Sequence, residues 1–143
     1  AVGHRLSVKP QDAAEAVERL ETELNAAKAG LTRLEDALFE RIAAQETGRG
    51  DTLLVQPPLR TDGARKLADA VSRTCGGLAA VVAGEGGQYQ YALLRADGKD
   101  IGPLVKTMNT ELHGRGGGRN GFAQGSVQAT QAEIEAFYRC FLT

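Results

Sequence analysis

Residues 114–121 read GRGGGRNG, with glycine at five of the eight positions and arginine at two others. Glycine leaves no Cβ in the path of a phosphate or base. A run of glycines also lets successive N–H groups converge into an anion-binding nest. Arg115 and Arg119 add planar, permanently charged forks that pair with phosphate or stack on a base. The chemistry on offer is recognition of an anion, with no bond made or broken. A capped helix starting near Thr130 would bring a second positive dipole end to the same neighbourhood. The competing reading is a flexible glycine loop with solvated arginines.

Other chemistries find less support. Gly116-x-Gly118-x-x-Gly121 matches the dinucleotide fingerprint in form only. It follows an expected helix instead of a strand, and no acidic residue stands about 20 positions on. No GxxxxGK[ST] phosphate loop is present. Ser126 has no His or Lys near it in sequence. Cys75 and Cys140 lack metal-ligand spacing, as do His4 and His113, so no catalytic residue and no metal ligand is assigned. Two cysteines make no disulfide framework, and a reducing, cytoplasmic setting is expected. No stretch reaches a membrane-spanning length, and no membrane partner is expected. The net charge of −1 does not suggest a general polyanion binder, so any nucleic-acid site must be a local patch. The absence of an initiator Met suggests a segment of a longer protein.

Two parts with different periodicity must position these residues. Pro10 suits a first helical turn. The apolar positions Val17, Leu20, Leu24, Ala27, Leu31, Leu34 and Leu38 then follow spacings of 3, 4, 3, 4, 3 and 4. This is a coiled-coil-like a/d seam, and its phase runs through Gly30 without a slip. One helix from Pro10 to about Gln45, about 50 Å long, is expected. Its seam would pack on a second copy, on a further part of its own chain, or on its own globular part. A hinge is expected at residues 47–50.

The second part alternates. Strands are expected at 52–56, 78–83 and 88–95, and a short one near 122–127. Helices are expected after Asp62 as cap, over 101–112, and after the capping box Thr130-Gln131-Ala132-Glu133. Ile134, Phe137, Tyr138 and Phe141 would face inward from the last helix. Tyr89 and Tyr91 share a strand face, where core packing is preferred to base stacking. The fold class expected is α/β (α+β): a long helical arm over residues 1–48, then a small mixed sheet flanked by helices over 49–143.

Residues 114–127, GRGGGRNGFAQGSV, resemble the signature of the DHH-associated C-terminal domain that closes alanyl-tRNA synthetases and the longer free-standing alanyl-tRNA editing proteins. The segments LVKTMNTEL and ATQAEIEAFY on either side fit the same module, as does GGLAAVVAGEGGQYQYALLRA. The start, LSVKPQDAAEAVERLETEL, resembles the linker helix after the editing domain. Nearly the whole chain is covered. The resemblance implies a tRNA-binding module, for alanine tRNA, that acts in protein biosynthesis. It would support hydrolysis of mischarged tRNA by a separate domain and would have no catalytic site or cofactor of its own. Zinc is expected in that separate editing domain. The resemblance also implies a homodimer formed through the helical arm, on Val17, Leu20, Leu24, Leu31, Leu34 and Leu38. The nucleic-acid contacts would come from Gly114, Arg115, Gly116, Gly117, Gly118 and Arg119. Asn120 and Gln124 would add hydrogen bonds to base edges or a 2′-hydroxyl. Lys106 would add a phosphate contact, against the alternative of a solvated lysine. Arg65 and Lys66 are equally ambiguous and are set aside. Related domains accompany DHH phosphoesterases, where a His usually follows the glycines. Arg119 in that place points to the alanyl-tRNA branch. A substrate-binding half of such a phosphoesterase is the alternative, and a purely structural oligomerisation domain is a third reading.

Overall fold

The computed structural model describes residues 10–60 and 62–142. His4 and residues 6–9 of the linker-like start lie outside them. The chain divides into two compact units, one ending at Leu38 and the other starting at Phe39.

The first helix, α1, runs without a break over Pro10–Gln45. Gly30 costs a helix about 1 kcal/mol against Ala, yet the helix passes straight through it. Within the first unit the seam is exposed: Val17, Leu20, Leu24, Leu31, Leu34 and Leu38 retain 43% to 70% of their accessible surface.

The second unit is built on a five-stranded sheet. Its elements after α1 are β1 (Gly50–Gln56), α2 (Gly63–Cys75), β2 (Gly76–Glu85), β3 (Gln88–Arg95), α3 (Gly102–Glu111), β4 (Arg115–Arg119), β5 (Phe122–Gln128) and α4 (Gln131–Leu142). The sheet order is β1-β2-β3-β5-β4. β1 and β2 are parallel, joined through α2. The β2–β3, β3–β5 and β5–β4 pairs are antiparallel.

Alternation along the strands divides the core in two. One face carries Leu78, Ala80, Val82, Tyr89, Tyr91, Leu93, Ala123 and Val127, covered by α3 and α4. The opposite face carries Ala79, Val81 and Ala92. It is covered by α2 and by Phe39 and Ala43 from the last turns of α1. Tyr89 and Tyr91 are therefore core residues, as their spacing predicts.

Two local expectations are corrected. Asp62 occupies the N-cap of α2 but makes no side-chain cap bond, because its backbone is left-handed at φ 65°. Its carboxylate instead faces Arg65 Nε at 3.7 Å. Phe141 does not face the core: it is exposed and stacks on Phe137, ring centroids 5.7 Å apart. Between α1 and β1, residues 46–48 form a turn in which Gly48 N–H donates to the Thr74 carbonyl at 2.9 Å, and Arg49 pairs with Glu46. The capping box is present in its main bond, from Glu133 N–H to Thr130 Oγ1 at 3.2 Å. Cys75 is buried and Cys140 exposed, and neither is in a disulfide.

Candidate nucleic-acid interface

The glycine segment is a strand. Residues 115–119 form β4, the edge of the sheet, joined to β5 by a turn at Asn120 and Gly121. Asn120 takes the left-handed φ of 56° that the turn needs. The expected nest of converging amides is thus replaced by an extended backbone that pairs with β5. Glycine-rich sequence has poor strand propensity, so this strand owes its existence to its partner.

The reason for the glycines changes with it. A Cβ on Gly116 would lie 2.6 Å from Tyr91 Oη, and one on Gly118 would lie 2.8 Å from Ala123 Cβ, with backbone closer still. These two glycines point to the core side and are required by close packing. Gly114 is similarly crowded by Asn109 Oδ1. Gly117 points the other way, and a Cβ placed there would meet nothing within 4 Å. Of the strand's three glycines, only this one leaves open space for a ligand.

Arg115 and Arg119 share that outer side with Gly117, because alternate residues of a strand point the same way. Both are exposed. Among the described residues neither guanidinium has an ion-pair partner. Their Cα atoms are separated by four residues, roughly 13 Å in an extended strand. The register extends the same face inward: Arg115 pairs with Ser126, Gly117 with Gln124 and Arg119 with Phe122. Ser126 then pairs with Gln90, and Gln124 with Ala92. Gln124 therefore joins the arginines on one surface.

Lys106 does not. It is exposed on α3, the helix that packs over Tyr91 and Leu93 on the opposite face. Asn120 lies at the turn, where its carbonyl accepts from Ile101 N–H at 2.9 Å.

A side-chain bridge fixes β4 in place. Tyr91 Oη donates to Asn109 Oδ1 at 3.3 Å, and Asn109 Nδ2 donates to the Gly116 carbonyl at 3.2 Å. Burial pushes the Tyr91 phenol above its ordinary value, only partly offset by the Asn109 bond, so it stays a neutral donor. At the far end of β3, Arg95 holds Asp97 through two bonds of 3.1 and 2.9 Å and reaches Asp51 at 3.7 Å. The Arg95 bond holds the Asp97 carboxyl well below the usual carboxylate range.

The DHHA1 domain family matches residues 51–140. The chain belongs to the DHHA1 family. Among solved structures, this DHHA1 domain resembles the C-Ala domain of Aquifex aeolicus alanyl-tRNA synthetase. The TM-score is 0.55 and the identity 21%, covering 64% of this chain and 89% of that one. It also resembles exonuclease RecJ bound to manganese. There the TM-score is 0.60 and the identity 20%, covering 90% of this chain but 31% of that one. At such identities the likeness is one of fold. A comparison with curated protein sequences finds no match.

The fold adds Asn109, Gln88, Gln90 and Gln128 to the neighbourhood of the site, and it sets the half-buried Ser126 beside Arg115. A signal for most of these exists in the sequence. In QYQYALLR the inward tyrosines force Gln88 and Gln90 outward, and in FAQGSVQ the same period places Gln124, Ser126 and Gln128 outward.

Proposed function

We propose that this DHHA1 domain is a tRNA-binding module that acts beside a separate catalytic domain, with alanine tRNA as its partner. The observation that carries the reading is the pair of exposed guanidiniums, without counter-ions among the described residues, on the open side of an edge strand. Phosphates along a nucleic-acid backbone are the natural partners of two such forks. The family signature GRGGGRNGFAQGSV and the likeness to the C-Ala domain of an alanyl-tRNA synthetase support tRNA as the nucleic acid. The module contributes affinity to hydrolysis of mischarged tRNA and carries no catalytic residue itself. The exposed seam of α1 supports a homodimer through the arm, since an apolar stripe of this kind pairs with another helix.

With few cations involved, binding is modest and salt-sensitive. Arg115→Ala and Arg119→Ala are each expected to weaken binding of a tRNA transcript. Each should flatten the slope of log affinity against log salt by about 0.7 to 0.9. Unchanged affinity and slope in both variants would remove β4 from the site.

The likeness to exonuclease RecJ, which extends over 90% of the chain, supports a second reading, the substrate-binding half of a DHH phosphoesterase. Competition between the tRNA transcript and a short single-stranded oligonucleotide separates the two. Preference for the oligonucleotide favours the second.

A further inference from the structure

The sheet face that bears Arg115 and Arg119 is only partly covered. α2 shields Val81 and Ala92 and stops there. Beyond it the register sets out a small lattice of side chains on one surface. Gln88 stands beside Gln128. Gln90, Ser126 and Arg115 form the next row, and Ala92, Gln124 and Gly117 the one after. Neighbouring strands are about 4.8 Å apart, so Gln90 and Arg115 are separated by roughly 10 Å. These polar residues floor an open cleft of about 960 Å³, walled by the first turn of α2 and by residues 58–60.

The floor is chemically unusual. Gln88, Gln90, Gln124 and Gln128 are exposed and Ser126 is half-buried. None of the five side chains makes a hydrogen bond to a described residue. Each amide offers two donors and an acceptor, and the hydroxyl offers both. No charged group stands among these five, although Arg60 and Arg65 line the wall above them. Glu85 and Asp62 also line the cleft, Asp62 facing Arg65 at 3.7 Å. The floor itself is neutral, and the charges of the wall are of both signs. It suits a flat, uncharged ligand edge with donors and acceptors side by side, and the volume is that of a ligand pocket. The adjoining arginines on the same surface supply the complementary charge for a phosphate attached to that ligand.

We infer that the cleft receives an unpaired nucleotide of the bound RNA, its base edge read by Gln90 and Gln124 and its backbone held by Arg115 and Arg119. This rests on the nucleic-acid reading above and adds to it. Recognition moves from the backbone alone to a base that is not in a helix, which is the usual target of sequence-specific RNA contacts. Gly117, with open space above it, lets the strand of RNA pass from the arginines to Gln124 without a side chain in the way.

The test compares the full chain with two double variants, Gln90→Ala/Gln124→Ala and Arg115→Ala/Arg119→Ala, against a tRNA transcript at several salt concentrations. The glutamines are exposed, so the first variant keeps its fold, which circular dichroism checks. The expected result is a loss of about tenfold in affinity for the glutamine variant, in line with loss of good base contacts, with the salt slope unchanged because no charge is removed. In the parent chain the side-chain amide NMR signals of Gln90 and Gln124 should move on adding tRNA. If the glutamine variant binds as tightly as the parent while the arginine variant loses affinity, the base-reading cleft is overturned and the backbone site stands. If neither variant loses affinity, the nucleic-acid reading falls with it.

Discussion

The glycines of β4 look alike in sequence and behave differently in the fold. Gly116 and Gly118 face packed atoms, and Gly117 faces open space. Gly118→Ala should therefore destabilise the protein by about 1–3 kcal/mol, the usual range for overpacking. Gly117→Ala should stay within about 0.5 kcal/mol, as a surface change does. Chemical denaturation of the two variants measures the contrast, and equal effects would contradict this assignment of the strand's two sides. A second residue-scale consequence concerns Asp97. Its carboxyl titrates lower in the folded chain than the ordinary value near 3.9. Its ionised form therefore stabilises the fold above about pH 4, and that contribution disappears as the pH falls through the lower, folded value. Asp97→Asn should melt below the parent at pH 7, with the gap closing progressively in acid. A gap that stays undiminished between pH 7 and pH 2 would mean that ionised Asp97 is not its source.

At the scale of elements, the heptad and the alternations are legible because burial writes them directly into residue type. α1 passes through Gly30 as its uninterrupted phase requires, and Tyr89, Tyr91 and Leu93 lie inward together. β4 is not legible. Glycine carries no periodic signal, so a strand and a loop read the same, and only pairing with β5 decides between them. Asp62 fails as a cap for a backbone reason, its left-handed conformation, that residue type does not reveal. The Tyr91–Asn109–Gly116 bridge is equally hidden, because it joins three separate elements. Asn109→Ala breaks both of its bonds, each worth about 1 kcal/mol. It should speed amide hydrogen exchange over residues 115–119 while leaving β2 and β3 protected. Uniform acceleration across the sheet would show that the bridge supports the whole core and not the edge strand.

At the scale of the molecule, near-neutral charge points away from a general polyanion binder and toward a local patch. The patch residues Arg115, Arg119 and Gln124 do share one surface, while Lys106 stands on the helix covering the other. The cleft escapes the sequence because it exists only where α2 ends short of the sheet's edge, a matter of tertiary placement. The seam of α1 is the largest exposed apolar feature among the described residues. Introducing Leu24→Asp and Leu31→Asp together should convert a dimer to a monomer by solution mass measurement. A parent chain that is already monomeric would end the proposal of dimerisation through the arm.

The order of the strands has a mechanical side. β4 and β5 follow one another in the chain and close on each other through the turn at Asn120 and Gly121, while within the sheet β5 alone links β4 to β3. The arginine-bearing strand has a paired strand on one side only, and opening costs less where a segment has fewer anchors. A nucleotide lying across β3, β5 and β4 would act as a clasp over that weak seam, so occupancy and order at the rim of the sheet would rise and fall together.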